Sequence, residues 1–217
     1  MANLSPRLAA IARMIPRGAK LADIGSDHAY LPIHMVQQEA VASAIASDIS
    51  APCIARARAN AARAGVEARI LFRVSDGLCG ILPGECDTVV IAGMGGETAA
   101  AILEAAPWAL ERRLILQPAT RAPHLRRWLY AHGCAIREEC AVRDAGRLYA
   151  VLRAERGTAP EGELYAYASP ALLERARTDE AARAYLLRTA ELLEREVGRD
   201  YRAVTAALRD ACGVRNS

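Results

Sequence analysis

The first two thirds of the chain alternate short apolar runs with longer segments in which apolar residues recur every three or four positions. Short apolar runs are typical of buried strands, and the wider spacing is typical of amphipathic helices. The predicted strands are residues 20–24, 43–47, 69–74, 87–92 and 113–117. The predicted helices are a first one through Leu8, Ile11, Ala12 and Ile15, then residues 32–38, 51–64, 98–105 and 123–132. This alternation predicts an α/β protein with a parallel sheet and helices on both faces.

The pattern changes after this region, because two strand-like segments follow each other closely. Residues 135–142 and 148–154 are separated by a turn around Asp144, Ala145 and Gly146. Such short connections join antiparallel strands, whereas a parallel crossover needs about a dozen residues or more. We therefore expect a mixed sheet of five parallel strands and a C-terminal β-hairpin. This order resembles the Rossmann-like fold of class I S-adenosylmethionine (SAM) methyltransferases, although topology alone assigns no function.

A linker at residues 157–162 separates the sheet-forming region from a tail with a helical pattern. Pro170 suits the first turn of a helix. Beyond it, apolar residues follow each other in steps of three and four, which predicts a coiled-coil-like seam on one long helix or on helices divided at Gly198. The seam consists of Leu186, Ala190, Leu193, Val197, Tyr201, Val204, Leu208 and Ala211. We expect a methyltransferase domain at residues 1–156 and a helical region at residues 163–217.

The composition supports a folded domain and limits where an anionic partner could bind. Of 217 residues, 53% are hydrophobic and 24% are charged, and no apolar run reaches the roughly 18 residues of a membrane span. The net charge of +3 gives only weak attraction of the whole protein to a polyanion. Residues before Glu155 carry 18 basic and 14 acidic side chains, so the basic excess lies in the sheet-forming region. Candidate phosphate contacts, which ordinary solvated helix faces would also explain, are Arg56, Arg58, Arg63, Arg112, Arg113, Arg121, Arg126 and Arg127.

Neither the cysteines nor the histidines have the spacing of a metal site. The six cysteines form no C-x-x-C pair, and the four histidines add no further ligand spacing. The start of the chain also lacks the apolar segment of a secretion signal. We therefore expect a cytoplasmic protein with reduced cysteines, no metal and no membrane anchor, and we take a monomer as the default oligomeric state.

Glycine and acidic residues follow three successive predicted strands. Gly25 follows the first strand, where a glycine lets the chain turn tightly and approach a ligand. Asp48 ends the second strand, where a carboxylate can accept hydrogen bonds from both ribose hydroxyls. Asp76 and Gly77 follow the third strand, where a carboxylate can accept a hydrogen bond from an adenine amino group. Together these residues predict a nucleoside site. NAD would use the same ribose acceptor, but the glycine-rich turn for its pyrophosphate is missing.

The fourth predicted strand is followed by Gly93, Met94, Gly95 and Gly96. Three glycines in four residues indicate that another group approaches the backbone closely. Enzymes that methylate exocyclic amino groups commonly carry a Pro-Pro-aromatic motif at this place. Its absence here argues against methylation of an amino group.

Five short motifs occur in a fixed order along the chain. They are LSPRL (4–8), DIGSDHAYLP (23–32), SDGL (75–78), IAGMGG (91–96) and LQP (116–118). Together they resemble the bacterial tRNA adenine-22 N1-methyltransferase family, called TrmK, over residues 4 to about 154. The resemblance implies a class I core that uses SAM, a tRNA substrate, and a C-terminal helical region that helps to hold tRNA. The family usually has asparagine after Gln-Pro, where this chain has Ala119.

The resemblance implies methyl transfer to N1 of adenine. The in-plane lone pair of N1 needs no activating base, so alignment supplies most of the catalysis. N1 lies on the pairing edge, and the base must be unpaired or flipped out to be reached. Asp27 either removes the N6 proton of the cationic product or caps the following helix. His28 and Tyr30 are candidates to stack on the base, although His28 could also be a core histidine, and Met94 would line the pocket. Arg7 could pair with the cofactor carboxylate or an RNA phosphate, or be solvated.

These inferences define the expected site and its alternatives. The expected catalytic residues are Asp27, His28, Tyr30 and Met94. The expected cofactor-binding residues are Arg7, Asp23, Gly25, Ser26, Asp48, Ile49, Asp76, Gly77, Ala92 and Gly93. SAM is the expected cofactor and tRNA the expected partner. Two other functions stay open, namely a SAM-dependent methyltransferase acting on another RNA or a small molecule, and a non-catalytic RNA-binding protein on the same core.

Overall fold

A computed structural model describes residues 4–196 and 200–214, which contain one seven-stranded mixed sheet. The strands are β1 (Ala19–Ile24), β2 (Val41–Asp48), β3 (Ile70–Val74), β4 (Thr88–Gly95), β5 (Arg113–Thr120), β6 (Cys134–Asp144) and β7 (Arg147–Arg156). Their order across the sheet is β3-β2-β1-β4-β5-β7-β6. The first five strands pair in parallel, and β7 pairs antiparallel with β5 and β6. The predicted mixed sheet is therefore confirmed.

Helices cover both faces of the sheet. They are α1 (Pro6–Met14), α2 (Tyr30–Gln37), α3 (Ala51–Arg63), α4 (Gly96–Glu104), α5 (Ala122–Ala131), α6 (Leu164–Tyr167), α7 (Pro170–Arg175), α8 (Glu180–Glu194) and α9 (Arg202–Ala211). Strand β4 divides the two cores by alternation, since Val90 joins the layer under α1, α2 and α3 while Val89 and Ile91 join the layer under α4 and α5. Local signals start two helices near the site, because the Ser5 and Ser50 hydroxyls accept hydrogen bonds from backbone amides of α1 and α3.

The glycine-rich segment after the fourth predicted strand belongs partly to that strand. β4 runs to Gly95, three residues beyond the predicted end, and pairs with β5 through irregular steps on both sides of Met94. The close approach that the glycines indicated occurs at Gly96, where an added Cβ would lie 2.3 Å from the Arg121 carbonyl oxygen. The glycines therefore bring two backbones together at the edge of the sheet that carries the candidate site.

The predicted hairpin between β6 and β7 turns through two residues. Ala145 and Gly146 both have positive φ angles, +46° and +76°, as a type I′ turn requires. Asp144 pairs with Arg147 directly across this turn. The turn matches the right-handed twist of the strands, which explains why the chain folds back here and does not cross over.

The helical tail departs from the single long helix that was one of our expectations. α8 ends at Glu194 and α9 begins at Arg202, and the two pack against each other, with Cys212 Sγ 3.7 Å from the Arg183 carbonyl oxygen. Val197 and Gly198 of the predicted seam lie outside the described residues. The remaining seam residues from Leu186 to Leu208 are buried with Ala141 of β6, so the apolar face packs partly against the sheet. The division of the chain after residue 156 stays a prediction.

A buried ion pair joins α5 to β6, and further hydrogen bonds of both partners attach the tail to them. The guanidinium of Arg126 in α5 donates to the carboxylate of Glu139 in β6, and both side chains are fully buried. Arg126 also donates to the Ala166 carbonyl oxygen, and Glu139 accepts from the Ser169 amide at 3.1 Å. Arg126 therefore cannot bind an RNA phosphate as we expected, because its donors are used inside the protein.

Within residues 4–196 and 200–214, no helix is long and apolar enough to span a bilayer. The same ranges contain no group of three or more acidic, histidine or cysteine side chains that could hold a metal ion.

Candidate functional site

The carboxyl ends of β1, β2 and β3 lie side by side. After β1 the chain turns at Gly25 with a φ of +77°, and the amides of Gly25 and Ser26 donate to the Ser47 carbonyl oxygen at 2.8 and 2.9 Å. The Ser75 amide donates to the Asp48 carbonyl oxygen at 2.9 Å, so the turn after β3 is fixed beside the end of β2. These bonds place the glycine turn and the acidic strand ends at one edge, as the sequence predicts.

A cleft of about 370 Å³ opens at this edge, between α1, the turn after β1 and the end of β4. Nine of the fourteen predicted site residues line the cleft. They are Arg7, Asp23, Gly25, Ser26, Asp27, His28, Tyr30, Ala92 and Gly93. Residues from three separate segments thus meet in one cavity, and most of the predicted cofactor and catalytic residues come together in it.

The other five predicted residues lie beside this cleft without lining it. Asp48 ends β2 and its carboxylate accepts from the Ser50 amide at 2.8 Å, while the following Ile49 is 67% exposed. Asp76 and Gly77 lie in the turn after β3, where Gly77 has a φ of +51°. Met94 covers the glycine turn, because a Cβ added at Gly25 would lie 2.2 Å from Met94 Cε.

Asp23 carries the most perturbed carboxyl group of the cleft. It is only 7% exposed, and its carboxylate accepts a hydrogen bond from the Ser26 hydroxyl at 2.5 Å. Burial raises the pKa of Asp23 to about 7, the Ser26 bond lowers it, and the nearby Asp48 charge raises it further. A buried acid poised near neutral pH in a cleft is typical of a functional site, where a bound cation would hold it ionised.

Asp27 is held in a surface cluster of polar groups. Arg56 in α3 donates to its carboxylate at 2.6 Å, and His28 Nε2 lies 3.3 Å from its other oxygen. The hydrogen bond from Arg56 is the main cause of a lowered pKa for Asp27, followed by one from Cys53. A lowered pKa makes the carboxylate a weaker base, which argues against proton removal by Asp27. The alternative helix-cap role is wrong, since the helix begins after Ala29 without a side-chain cap.

The aromatic rings of His28 and Tyr30 form a stack at the mouth of the cleft. Their centroids are 5.1 Å apart and their planes differ by 10°. Both side chains are substantially exposed, so the interpretation of His28 as a core histidine is wrong. Ala29 between them has a φ of +52°, which turns the two rings to the same side. A planar base could extend this stack.

Gln117 is a site residue that sequence reasoning missed. Its side-chain oxygen accepts from Arg7 Nη1 at 2.6 Å and from the Gly93 amide at 3.1 Å, and its amide nitrogen donates to the Pro118 carbonyl oxygen at 2.9 Å. Gln117 is 1% exposed, and its hydrogen bonds hold Arg7 against the end of β4. The LQP motif marked the position, but no local pattern showed that its partners lie on α1 and β4.

Two residues of α3 also support the cleft without having been predicted to do so. Asn60 donates to the His28 carbonyl oxygen at 3.0 Å, and Arg56 pairs with Asp27. Arg56 was a candidate for phosphate, and its carboxylate partner now accounts for its charge. Arg58 likewise pairs with Glu67 at 3.2 Å.

The sheet order, the glycine turn and the acidic strand ends define a class I methyltransferase domain. A family model described as a methyltransferase domain matches residues 4–152. The chain is 44% identical over 157 residues to a tRNA (adenine(22)-N(1))-methyltransferase of Bacillus subtilis, an alignment that spans 71% of this chain and 66%, slightly less than two thirds, of that protein. The chain belongs to the bacterial tRNA (adenine-22-N1)-methyltransferase family, so the predicted family is confirmed.

Two solved structures extend the similarity to the whole chain. A Streptococcus pneumoniae protein crystallised with S-adenosyl-L-methionine is 32% identical, with a TM-score of 0.84 over 97% of this chain and 100% of that one. The crystal structure of the Bacillus subtilis m1A22 tRNA methyltransferase TrmK is also 32% identical, with a TM-score of 0.75 over 99% and 97% of the two chains. The helical tail is therefore part of the shared architecture.

Proposed function

We propose that this protein transfers the methyl group of SAM to N1 of the adenine at position 22 of tRNA. The observation that carries the proposal is the cleft in which the glycine turn, buried Asp23 and the His28–Tyr30 stack meet. The proposal includes tRNA as partner and the cytoplasm, where tRNA is modified, as the place of action.

The residues in the cleft and beside it fit the cofactor. Gly25 and Gly93 have φ angles of +77° and +78°, which favour glycine, and a Cβ at Gly25 would also meet Met94 Cε, so the turn after β1 needs a glycine where the cofactor would approach. Asp48 would accept hydrogen bonds from the ribose hydroxyls, and exposed Ile49 offers an apolar surface to the adenine ring. Asp23 offers a carboxylate to the amino group of the methionine part.

The main catalytic task of this protein is to align adenine N1 with the methyl group of SAM. Bound SAM would supply a methyl group on a positively charged sulfur. As adenine N1 bonds to the methyl carbon with its own lone pair, the carbon–sulfur bond would break and S-adenosylhomocysteine would leave. His28 and Tyr30 hold the extruded base by stacking, and Arg7, fixed by Gln117, lines the same cleft. The ring becomes cationic on methylation, and the Asp27 carboxylate beside His28 stabilises that charge even as a weak base. The N6 proton can then leave to water.

A panel of unmodified tRNA transcripts tests the proposed activity. We expect methyl transfer from radiolabelled SAM to transcripts with adenine at position 22, and none after replacement of that adenine by guanine. Reverse transcription should stop at position 22, because a methyl on N1 blocks base pairing. Methylation at another nucleotide would assign a different RNA substrate. Cofactor binding without transfer to any transcript would favour the non-catalytic alternative.

Replacing Asp48 with alanine is expected to weaken SAM binding about 30-fold, because two hydrogen bonds to a charged acceptor are lost. Calorimetric titration of the purified protein measures the effect. Asp210→Ala in α9 is the matched control, since Asp210 is exposed and lies outside the cleft. Equal SAM affinities of the Asp48 variant and the control would exclude Asp48 as the ribose acceptor.

A further inference from the structure

A second groove lies between the end of β5 and helix α8. It has a volume of about 330 Å³, which is within the range of about 300–1,000 Å³ typical of ligand sites. Its walls come from the β5–α5 connection, the start of β7, and one face of α8 with the residues after it. The lining includes Pro118, Arg121, Tyr149, Tyr185, Arg188 and Leu192. We call this cavity the tail groove.

The tail groove adjoins the cofactor cleft, because Arg7 and Gln117 connect residues of the two walls. Pro118, which lines the groove, follows Gln117 directly, and Gln117 binds Arg7 of the cleft. The Arg7 guanidinium carbon also lies 5.8 Å from the ring centroid of Tyr149, another groove residue. A strand whose adenine enters the cleft can therefore pass over Arg7 into the groove.

Two arginines face the groove with their charges uncompensated. Arg121 and Arg188 are exposed, and neither side chain makes an ion pair or hydrogen bond with any described residue. Arg121 has a φ of +56°, a strained conformation for a non-glycine residue, and its carbonyl oxygen accepts from the amides of His124 and Leu125 at 3.0 and 3.4 Å. The acidic side chain of the lining is Glu196, after the end of α8. The free positive charge therefore suits a polyanion.

The remaining wall is aromatic and apolar, and it is held rigidly. The Tyr185 hydroxyl lies 3.4 Å from Arg126 Nη2, and the Tyr167 hydroxyl accepts from Arg127 at 3.1 Å. Leu192 is 57% exposed beside them. Proteins recognise single-stranded nucleotides by combining such surfaces for the base with arginines for the phosphate.

We propose that the tail groove binds a nucleotide of the tRNA strand adjoining the methylated adenine. Arg121 and Arg188 contact its phosphates, and its base packs against the tyrosine and leucine wall. The proposal rests on the proposed tRNA methylation and assigns the substrate contact that keeps the target strand extended across Arg7.

The test compares tRNA binding by the double variant Arg121→Gln/Arg188→Gln with that of the unchanged protein. Fluorescence anisotropy with labelled tRNA, at several salt concentrations, should give a Kd about tenfold higher for the double variant. The slope of log Kd against log salt should fall by about 1.5, because two phosphate contacts are lost. The KM for SAM should not change. Arg69→Gln is the matched control, since Arg69 is exposed, makes no side-chain ion pair in the described ranges, and precedes β3 at the far edge of the sheet.

A second variant fills the groove without changing its charge. Thr189→Trp on α8 should raise the tRNA Kd to a similar extent. If both groove variants bind tRNA as tightly as the unchanged protein, and the unchanged protein methylates tRNA, the tail groove does not bind the strand. The proposed function would still hold. An equal loss of tRNA affinity in Arg69→Gln would show that general electrostatic attraction, and not a specific groove, binds the tRNA. If the unchanged protein neither binds nor methylates tRNA, both proposals fail.

Discussion

Replacing Glu139 with alanine is expected to lower the free energy of unfolding by about 3–5 kcal/mol, because it leaves the Arg126 charge buried without its partner. Burial alone would lower the pKa of Arg126, but the Glu139 carboxylate outweighs it, and the pKa is raised. The guanidinium thus stays charged in a site with no water-facing surface. For a chain of this size the loss corresponds to a fall in Tm of roughly 10 °C, measurable by calorimetry.

The double variant Arg126→Met/Glu139→Leu separates two quantities: the net contribution of the ion pair to the free energy of unfolding, and the destabilisation caused by leaving one charge buried alone. Replacing both charges with apolar groups of similar volume removes the buried charge, so we expect the double variant to be more stable than Glu139→Ala. It should not recover the unchanged protein fully, because the Ser169 amide and the Ala166 carbonyl lose their partners. A double variant no more stable than the single one would contradict this explanation.

The spacing of apolar residues predicted each strand of the sheet, and the short connection predicted the hairpin. Both signals lie in residues that are close together in sequence. The candidate nucleoside site at the edge of the sheet was also predictable from the sequence. The carboxyl ends of parallel strands lie at one edge, so Gly25, Asp48 and Asp76, which end or follow three such strands, come close together. The strand limits were less well predicted. β4 extends beyond Ala92 only because irregular pairing with β5 accommodates its glycines, which is a property of two strands together.

Contacts between distant segments explain what the sequence did not predict. Gln117 binds Arg7 across 110 positions and Asn60 reaches His28 across 32, so no local pattern connects them. Arg126 and Arg127 look alike in sequence, yet one is fully buried against Glu139 and the other pairs with Glu163 at the surface. Whether an arginine is buried or exposed depends on which carboxylate the fold places beside it. That partner is known only once the tail and the sheet are packed together.

The affinity for SAM is expected to fall about tenfold for each pH unit below 7, because Asp23 must lose its proton to receive the amino group of the cofactor. Burial is the main cause of the pKa of about 7 in the ligand-free protein. The folded state therefore holds a proton that the unfolded chain releases near pH 4, and Asp23 lowers stability progressively as the pH rises from about 4 to about 7. A bound ammonium group offsets this loss, so cofactor binding should release a proton near neutral pH.

Calorimetric titration with SAM between pH 5.5 and 7.5 measures this coupling below the range of about 7.7–8.0 in which α-amino groups titrate. Asp23→Asn should bind SAM weakly and with little pH dependence. Ser26→Ala should move the midpoint to higher pH, because the lost hydrogen bond normally lowers the pKa of Asp23. His28→Asn is the control for the imidazole in the lining of the cleft and should keep the slope. A slope that persists in Asp23→Asn and vanishes in His28→Asn would transfer the pH dependence from the buried carboxylate to the imidazole at the mouth of the cleft.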